Sequence, residues 1–172
     1  MQQHGKKMTT FGRAHLHRLD TWTIMTHGLT FHGQAEGKYM SLQVVIENEY
    51  ANLWLHTDTN IVHHQFKKYI HGAPFRAILD GGYELMLKHH CTKWLSDDSS
   101  NGAVTPDDEK WSQGDWFPRM MKAGWKHWAV LPPTKIVGQM NIKRFADTYS
   151  KLGLNAKIFT DHAEALKWLV GL

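Results

Sequence analysis

The residues best suited to chemistry follow a short apolar run. Asp97 and Asp98 come after Trp94-Leu95-Ser96, which places them at the carboxyl end of a predicted strand, where open α/β sheets hold their ligands. Two carboxylates near a histidine could carry out general acid–base catalysis, although an Asp pair is also typical of a turn. The sequence therefore leaves open an enzyme that uses Asp97, Asp98 and a nearby histidine.

Histidine and cysteine are the other candidate groups. His63-His64 and His89-His90 are adjacent pairs, and neighbouring side chains in a strand point to opposite faces, so one pair cannot easily chelate one metal. Zinc needs three or four converging ligands, and no zinc or phosphate-binding motif is present. We interpret the pairs as surface or partly buried histidines and expect no metal and no cofactor. Cys91, the single cysteine, is interpreted as a buried, inert thiol.

Aromatic and methionine side chains crowd one predicted helix. They could simply form a tryptophan-rich core, or they could form an exposed patch of the kind that binds partners and apolar ligands. We predict an interaction surface made of Trp111, Trp116, Phe117, Arg119, Met120 and Trp125. A cavity between this helix and the sheet would alternatively hold a small apolar ligand or a lipid.

Composition excludes several classes of protein. The chain has 172 residues, 42% apolar and 21% charged, with a net charge of +4. This is ordinary globular composition for about one domain, not that of a disordered chain. Residues 40–172 carry a net charge of only +1, which argues against a nucleic-acid surface. We see no apolar run of the roughly 20 residues that a membrane span needs, no secretory signal and no possible internal disulfide. We therefore expect a cytoplasmic protein.

The positions 1–39 differ from the rest of the chain. Their apolar residues follow no period of 2 or 3.6, so they predict no regular element. We expect a poorly ordered leader, for which a flexible tail, a transit-type peptide and a start site assigned too early are three explanations. We favour a true start at Met40, with one domain over residues 40–172.

From Met40 onward the pattern is regular. Three strands precede a helix, and strands then alternate with helices, which predicts an α/β fold with one mixed sheet that begins as an antiparallel meander. Thr105-Pro106 is typical of a helix start, and Pro118 should kink or restart that helix. The predicted strands are 42–46, 50–56, 61–70, 91–96, 128–131 and 154–159, and the predicted helices lie at about 74–90, 106–125, 136–149 and 162–170.

Several segments resemble one group of small bacterial proteins. Lys93-Trp-Leu-Ser-Asp-Asp98, Thr105-Pro-Asp-Asp108, Asp115-Trp-Phe-Pro-Arg119 and Ala123-Gly-Trp-Lys126 are similar to the STAS-like (sporulation anti-anti-sigma-factor-like, or Sec14-type) proteins. The resemblance covers roughly residues 40–172. It implies a STAS-like fold and supplies no activity. Our leading hypothesis is a non-enzymatic binding or regulatory module that acts as a homodimer or with a protein partner through the tryptophan-rich helix.

The resemblance also implies a possible phosphorylation switch. Regulatory members of the family carry a phosphorylatable serine, typically in an Asp-Ser-Ser-Gly setting at a helix start. Here Ser99 and Ser100 match the spelling, with Asn101 inserted before Gly102, while Thr105 matches the position. A phosphate at a helix N-terminus would be stabilised by free N–H groups. The alternative for Thr105 is plain N-capping of the helix.

Overall fold

The computed structural model describes residues 31–35 and 38–172, with side chains from residue 41 onward. The strands are β1 (Phe31–Ala35), β2 (Lys38–Glu47), β3 (Ala51–His56), β4 (Ile61–Phe66), β5 (Lys93–Asp97), β6 (His127–Leu131) and β7 (Asn155–Ile158). The helices are α1 (Gly72–His89), α2 (Pro106–Trp111), α3 (Phe117–Lys122), α4 (Ile136–Lys151) and α5 (His162–Val170), and a π-helical segment, Ser112–Trp116, joins α2 to α3.

All these strands belong to one mixed sheet. Its order is β1-β2-β3-β4-β5-β6-β7. The first four strands pair antiparallel and the last four parallel. The predicted α/β class, the meander and the alternation of strands and helices are confirmed. β1 was not predicted, because its five residues, Phe-His-Gly-Gln-Ala, show little β-rich character. The leader expected over residues 1–39 lies mostly outside the described residues.

Helices cover the two faces of the sheet unequally. α1, α2, the π-helical segment, α3 and α4 pack on the face that carries Val62, Phe66, Trp94 and Trp128, which we call the pocket face. α5 packs on the opposite face, the α5 face, against Ile61, Leu95, Ala129 and Leu131. The strictly alternating side chains of a strand explain this division. No helix within the described residues is both long and apolar enough to cross a bilayer.

The helix starts follow the predicted local chemistry. Thr105 is the N-cap of α2, and its hydroxyl accepts a hydrogen bond from the Asp108 N–H. Asp161 caps α5 in the same way through the Glu164 N–H. The predicted restart at Pro118 is confirmed, because the π-helical turn ends immediately before α3, which has this proline in its first turn. A proline there leaves one helical carbonyl without its usual N–H donor.

Gly82 explains why a glycine pair lies inside α1. A Cβ built on Gly82 would lie 2.0 Å from the Trp94 indole, so only glycine allows α1 to approach this fully buried side chain. Two other predictions fail. The third predicted strand ends at Phe66 rather than at residue 70. His63 and His64, interpreted as surface or partly buried, are instead buried, because β4 is covered on both faces. His89 is half-buried and His90 exposed, as predicted.

Candidate functional site

A pocket opens on the pocket face between the sheet, α1 and α4. It encloses about 630 Å³ of space, part of it open to solvent. The aromatic side chains that line it are Phe66, Phe75, Trp116, Trp125, Trp128, Phe145 and Tyr149. Ligand pockets in proteins combine such apolar walls with a few convergent polar groups.

His64 is the central polar side chain of this pocket. It is 2% exposed, at the carboxyl half of β4. The Trp94 indole N–H donates to its Nδ1 at 2.9 Å, and its Nε2 lies 3.1 Å from Asp98 Oδ1. Because an indole can only donate, Nδ1 must be the acceptor and Nε2 must carry the hydrogen. Trp94 thereby holds His64 as the neutral tautomer that donates to Asp98.

Asp98 brings a carboxylate to the pocket directly after β5. The residue is 8% exposed, and its backbone N–H donates to the Leu131 carbonyl while its carbonyl accepts from the Asn101 N–H. These two bonds fix the start of the loop. Oδ1 accepts from His64, whereas Oδ2 has no hydrogen-bond partner among the described residues. The second carboxylate oxygen is therefore available to a bound molecule.

Hydroxyl groups supply the remaining polar contacts. Ser96 lies opposite His64 in the paired strands, and its Oγ accepts from the Trp128 indole N–H at 2.8 Å. Across the pocket, the hydroxyls of Ser112 and Tyr149 lie 3.1 Å apart. Burial raises the pKa of Tyr149 above its ordinary value, which keeps the phenol protonated. Each hydroxyl can still exchange hydrogen bonds with a ligand.

Asp108 fastens the elements around the pocket. This carboxylate, 1% exposed, accepts hydrogen bonds from the Gly72 N–H, the Arg76 guanidinium and the Thr105 hydroxyl, each at 2.8 Å. Burial by itself raises the pKa of Asp108, but the bonds from Gly72, Thr105 and Arg76 outweigh it and leave the pKa below its ordinary value. The charged form therefore ties the start of α1 to the start of α2.

The predicted interaction surface is mostly interior. Trp116, Phe117, Met120 and Trp125 are buried in the core, and Trp111 and Arg119 are half-buried. Their aromatic rings pack on one another, for example Trp116 against Trp125 with centroids 5.5 Å apart. An exposed patch made of these side chains is therefore wrong, and the core alternative is observed. Two members, Trp116 and Trp125, nevertheless line the pocket.

Arg119 in α3 is held by two carboxylates. Its guanidinium donates to Asp80 and to Asp115, both at 2.8 Å. It bridges α1 to the π-helical segment and does not line the pocket.

The side chains of the adjacent residues Asp97 and Asp98 point to different sides of the sheet. Asp98 faces the pocket, whereas Asp97 accepts from the Gln65 amide at 2.9 Å and from the Ser99 hydroxyl at 2.6 Å. A catalytic pair made of both carboxylates is therefore absent, because successive side chains leave the strand on opposite sides. Ser99 is half-buried and Ser100 is exposed. Thr105 caps α2, and phosphorylation of these three hydroxyls stays a prediction.

Other histidines gather on the α5 face. His63 Nδ1 lies 3.2 Å from His56 Nε2, and His63 Nε2 lies 3.3 Å from His162 Nε2. Each nitrogen of His63 thus faces a different imidazole, so the three rings form a chain rather than converging on one point. Across residues 41–172, no cluster of three or more His, Cys, Asp or Glu side chains is arranged to hold a metal ion.

Cys91 is fully buried just before β5. Burial raises the pKa of its thiol to about 11, so the nucleophilic thiolate is scarce near neutral pH. The predicted buried thiol is confirmed.

Comparison with known proteins assigns this chain to no family. Neither the protein-family models, nor the curated proteins, nor the solved structures gave a match to this chain. The resemblance to STAS-like proteins therefore stays a prediction.

The sequence pointed to Asp98 but missed its partner. The alternation of β4 places His64 on the same face as Val62 and Phe66, and this period of 2 could have identified it as an inward-facing side chain. Nothing in the sequence shows that Trp94 and Ser96 would meet the side chains they bond to, since these contacts join residues about 30 positions apart.

Proposed function

We propose that this protein is a binding module for a small, largely apolar molecule held in the pocket. The observation that carries the proposal is the meeting of aromatic walls with the His64–Asp98 pair in one partly open cavity. Its location agrees with the general position of ligands in open α/β sheets, outside the carboxyl ends of the strands. β4 and β5 supply His64, Ser96 and Asp98 at that edge.

Ligand binding explains the geometry better than the other two hypotheses. Association with a second protein through the tryptophan-rich helix loses its main support, because four of the six side chains named for it are buried. Acid–base catalysis by His64 lacks support as well. Both of its ring nitrogens are already hydrogen-bonded, one to Trp94 and one to Asp98, so neither is available to take a proton from a substrate.

The test uses the full chain and its own indole groups as reporters. The N–H groups of Trp94 and Trp128 are hydrogen-bonded to His64 and Ser96, so their NMR signals should move when a ligand enters. We expect small aromatic and aliphatic compounds from a fragment set to shift these signals. We also expect native mass spectrometry of gently purified protein to show a copurifying small molecule.

A matched pair of variants localises the binding. Val104 lines the pocket and is half-buried, whereas Val45 lies 40% exposed on β2. Val104→Trp should block the opening and abolish the ligand-induced shifts, and Val45→Trp should leave them unchanged. If no compound moves the Trp94 or Trp128 signals, or if Val104→Trp binds as well as the original chain, the proposed function is wrong.

A further inference from the structure

The pocket has an unbalanced charge. Of the described residues that line it, Asp98 alone carries a carboxyl group, and no Lys or Arg lines it. His64 does not compensate, because the Trp94 N–H occupies Nδ1 and keeps the ring neutral. Protonation of His64 would set an N–H against an N–H and break that bond. The Asp98 side chain is 12% exposed and lies beside this neutral donor.

A buried carboxylate without a cation is costly. Carboxylates removed from water are normally paired or neutralised. Oδ1 of Asp98 receives one hydrogen bond, from His64, and Oδ2 receives none from the described residues. A ligand with a positively charged N–H group would bring both a charge and a donor to this accessible oxygen.

The walls of the pocket favour an organic cation over a metal ion. Hard cations such as Ca²⁺ and Mg²⁺ need about six or more oxygen ligands, and here one carboxylate oxygen is available beside aromatic rings. Faces of Trp, Tyr and Phe attract ammonium groups. Trp116, Trp125 and Trp128 all line the same cavity.

From this arrangement we propose that the ligand is a small organic cation, a protonated amine, whose ammonium group lies against Asp98 while its apolar part contacts the tryptophans. This inference rests on the proposed function and specifies its ligand class. The pocket is partly open to solvent, so a longer apolar part of the ligand can extend through the opening.

The experiment compares three molecules of similar shape and different charge. Benzylammonium, benzyl alcohol and benzoate are titrated into the full chain at pH 7, with the Trp94 and Trp128 indole signals as the readout. We expect benzylammonium to bind about tenfold more tightly than benzyl alcohol, as one charge-assisted contact allows. Benzoate should bind most weakly, because its charge repels Asp98.

Two variants assign that preference to one carboxylate. Asp98→Asn keeps an acceptor for the His64 N–H and removes the charge, so the preference should fall below about threefold. Asp58→Asn removes one exposed charge from the turn before β4 and should leave the preference intact.

The outcomes separate the two proposals. If benzyl alcohol binds as tightly as benzylammonium, or if Asp98→Asn keeps the full preference, the cation inference is overturned while the pocket remains a binding site. If none of the three compounds shifts either indole signal while other compounds of the fragment set do, the cation inference alone fails. If no compound shifts these signals, both proposals fail. The preference measured on the unaltered chain decides the inference even if Asp98→Asn does not fold.

Discussion

The two faces of the sheet each receive one imidazole from the same strand. On the pocket face, His64 contacts an indole N–H and a carboxylate, two partners of different chemistry. On the α5 face, His63 contacts two further imidazoles, His56 and His162. Both histidines are buried to a similar degree, 2% and 5% exposed. Their difference therefore comes from the neighbours and not from exposure to water.

The partners decide how many proton arrangements each face allows. The ring hydrogen of His64 has one possible position, because the indole only donates and the carboxylate only accepts. Around His63 there are two, since each imidazole can donate or accept. His56 Nδ1 is buried without a partner, and an unpaired acceptor is tolerated better than an unpaired N–H, which favours His56 donating to His63. The position of the ring hydrogen of His64 on the pocket face is thus fixed by its partners. The ring hydrogens of the histidines on the α5 face can be rearranged when a proton binds.

The largest expected change in stability comes from a variant that disrupts the packing of the pocket face. Gly82→Ala places a Cβ 2.0 Å from the Trp94 indole, so the ring must move and lose its bond to His64. Overpacking together with an unpaired buried N–H should lower the free energy of unfolding by about 4 kcal/mol. Denaturant unfolding measures this change, and ligand binding should disappear as well.

The neighbouring glycine is the control for this variant. In Gly81→Ala the new Cβ meets only the ends of the Leu53 and Ile46 side chains, at 3.2 and 3.3 Å. These flexible groups can adjust, and alanine has the better helix propensity. We expect a change below about 1 kcal/mol. Equal losses from the two variants would contradict the assigned role of Trp94.

The next largest effect is a loss of stability at acidic pH that comes from the histidines of the α5 face. Burial lowers the pKa of His56 from 6.5 to about 4, and burial together with His56 and His162 lowers the pKa of His63 well below its ordinary value. The unfolded chain therefore binds more protons than the folded chain once the pH falls below 6.5. Stability should decrease from pH 6.5 toward pH 4, by on the order of 3 kcal/mol from His56 alone.

Urea unfolding at a series of pH values measures this dependence. His56→Phe should make the decrease between pH 6.5 and 4 clearly shallower. His71→Gln removes an exposed imidazole and should leave the slope unchanged. A slope that is the same in His56→Phe and in the original chain would show that the α5 face does not respond to acid.

The smallest effect compares one helix cap on each face. Thr105→Ala removes the cap of α2 and one of the bonds to Asp108, and Asp161→Ala removes the cap of α5. Each should lower the free energy of unfolding by about 1 kcal/mol. Hydrogen exchange should separate them, with faster exchange confined to α5 in Asp161→Ala. We expect the helices on the two faces to open independently. Faster exchange in α5 after Thr105→Ala would contradict this expectation.

Local patterns were enough to predict most of the architecture. Alternation in β3, the Thr105-Pro106 start of α2 and the Asp161 cap of α5 each depend on residues close in sequence, and all are found. The site was harder to predict, because its contacts join distant residues. His64 meets Asp98 only because β4 and β5 pair in parallel with His64 opposite Ser96. The Trp116 and Trp125 side chains were recognised as important, but composition alone does not show which way a helix turns its aromatic side.

The order of the strands also has a consequence for how the chain assembles. Every strand of residues 31–172 that the structure describes pairs only with strands next to it in sequence, so the sheet can lengthen one strand at a time as the polypeptide leaves the ribosome. Such sequential pairing keeps the separation between contacting residues short, which favours rapid folding. The face built on Ile61, Leu95 and Ala129 is different, because its cover is α5, which follows all seven strands. During synthesis this apolar surface stays uncovered longest, and it is the place where we expect a chaperone to engage the nascent chain.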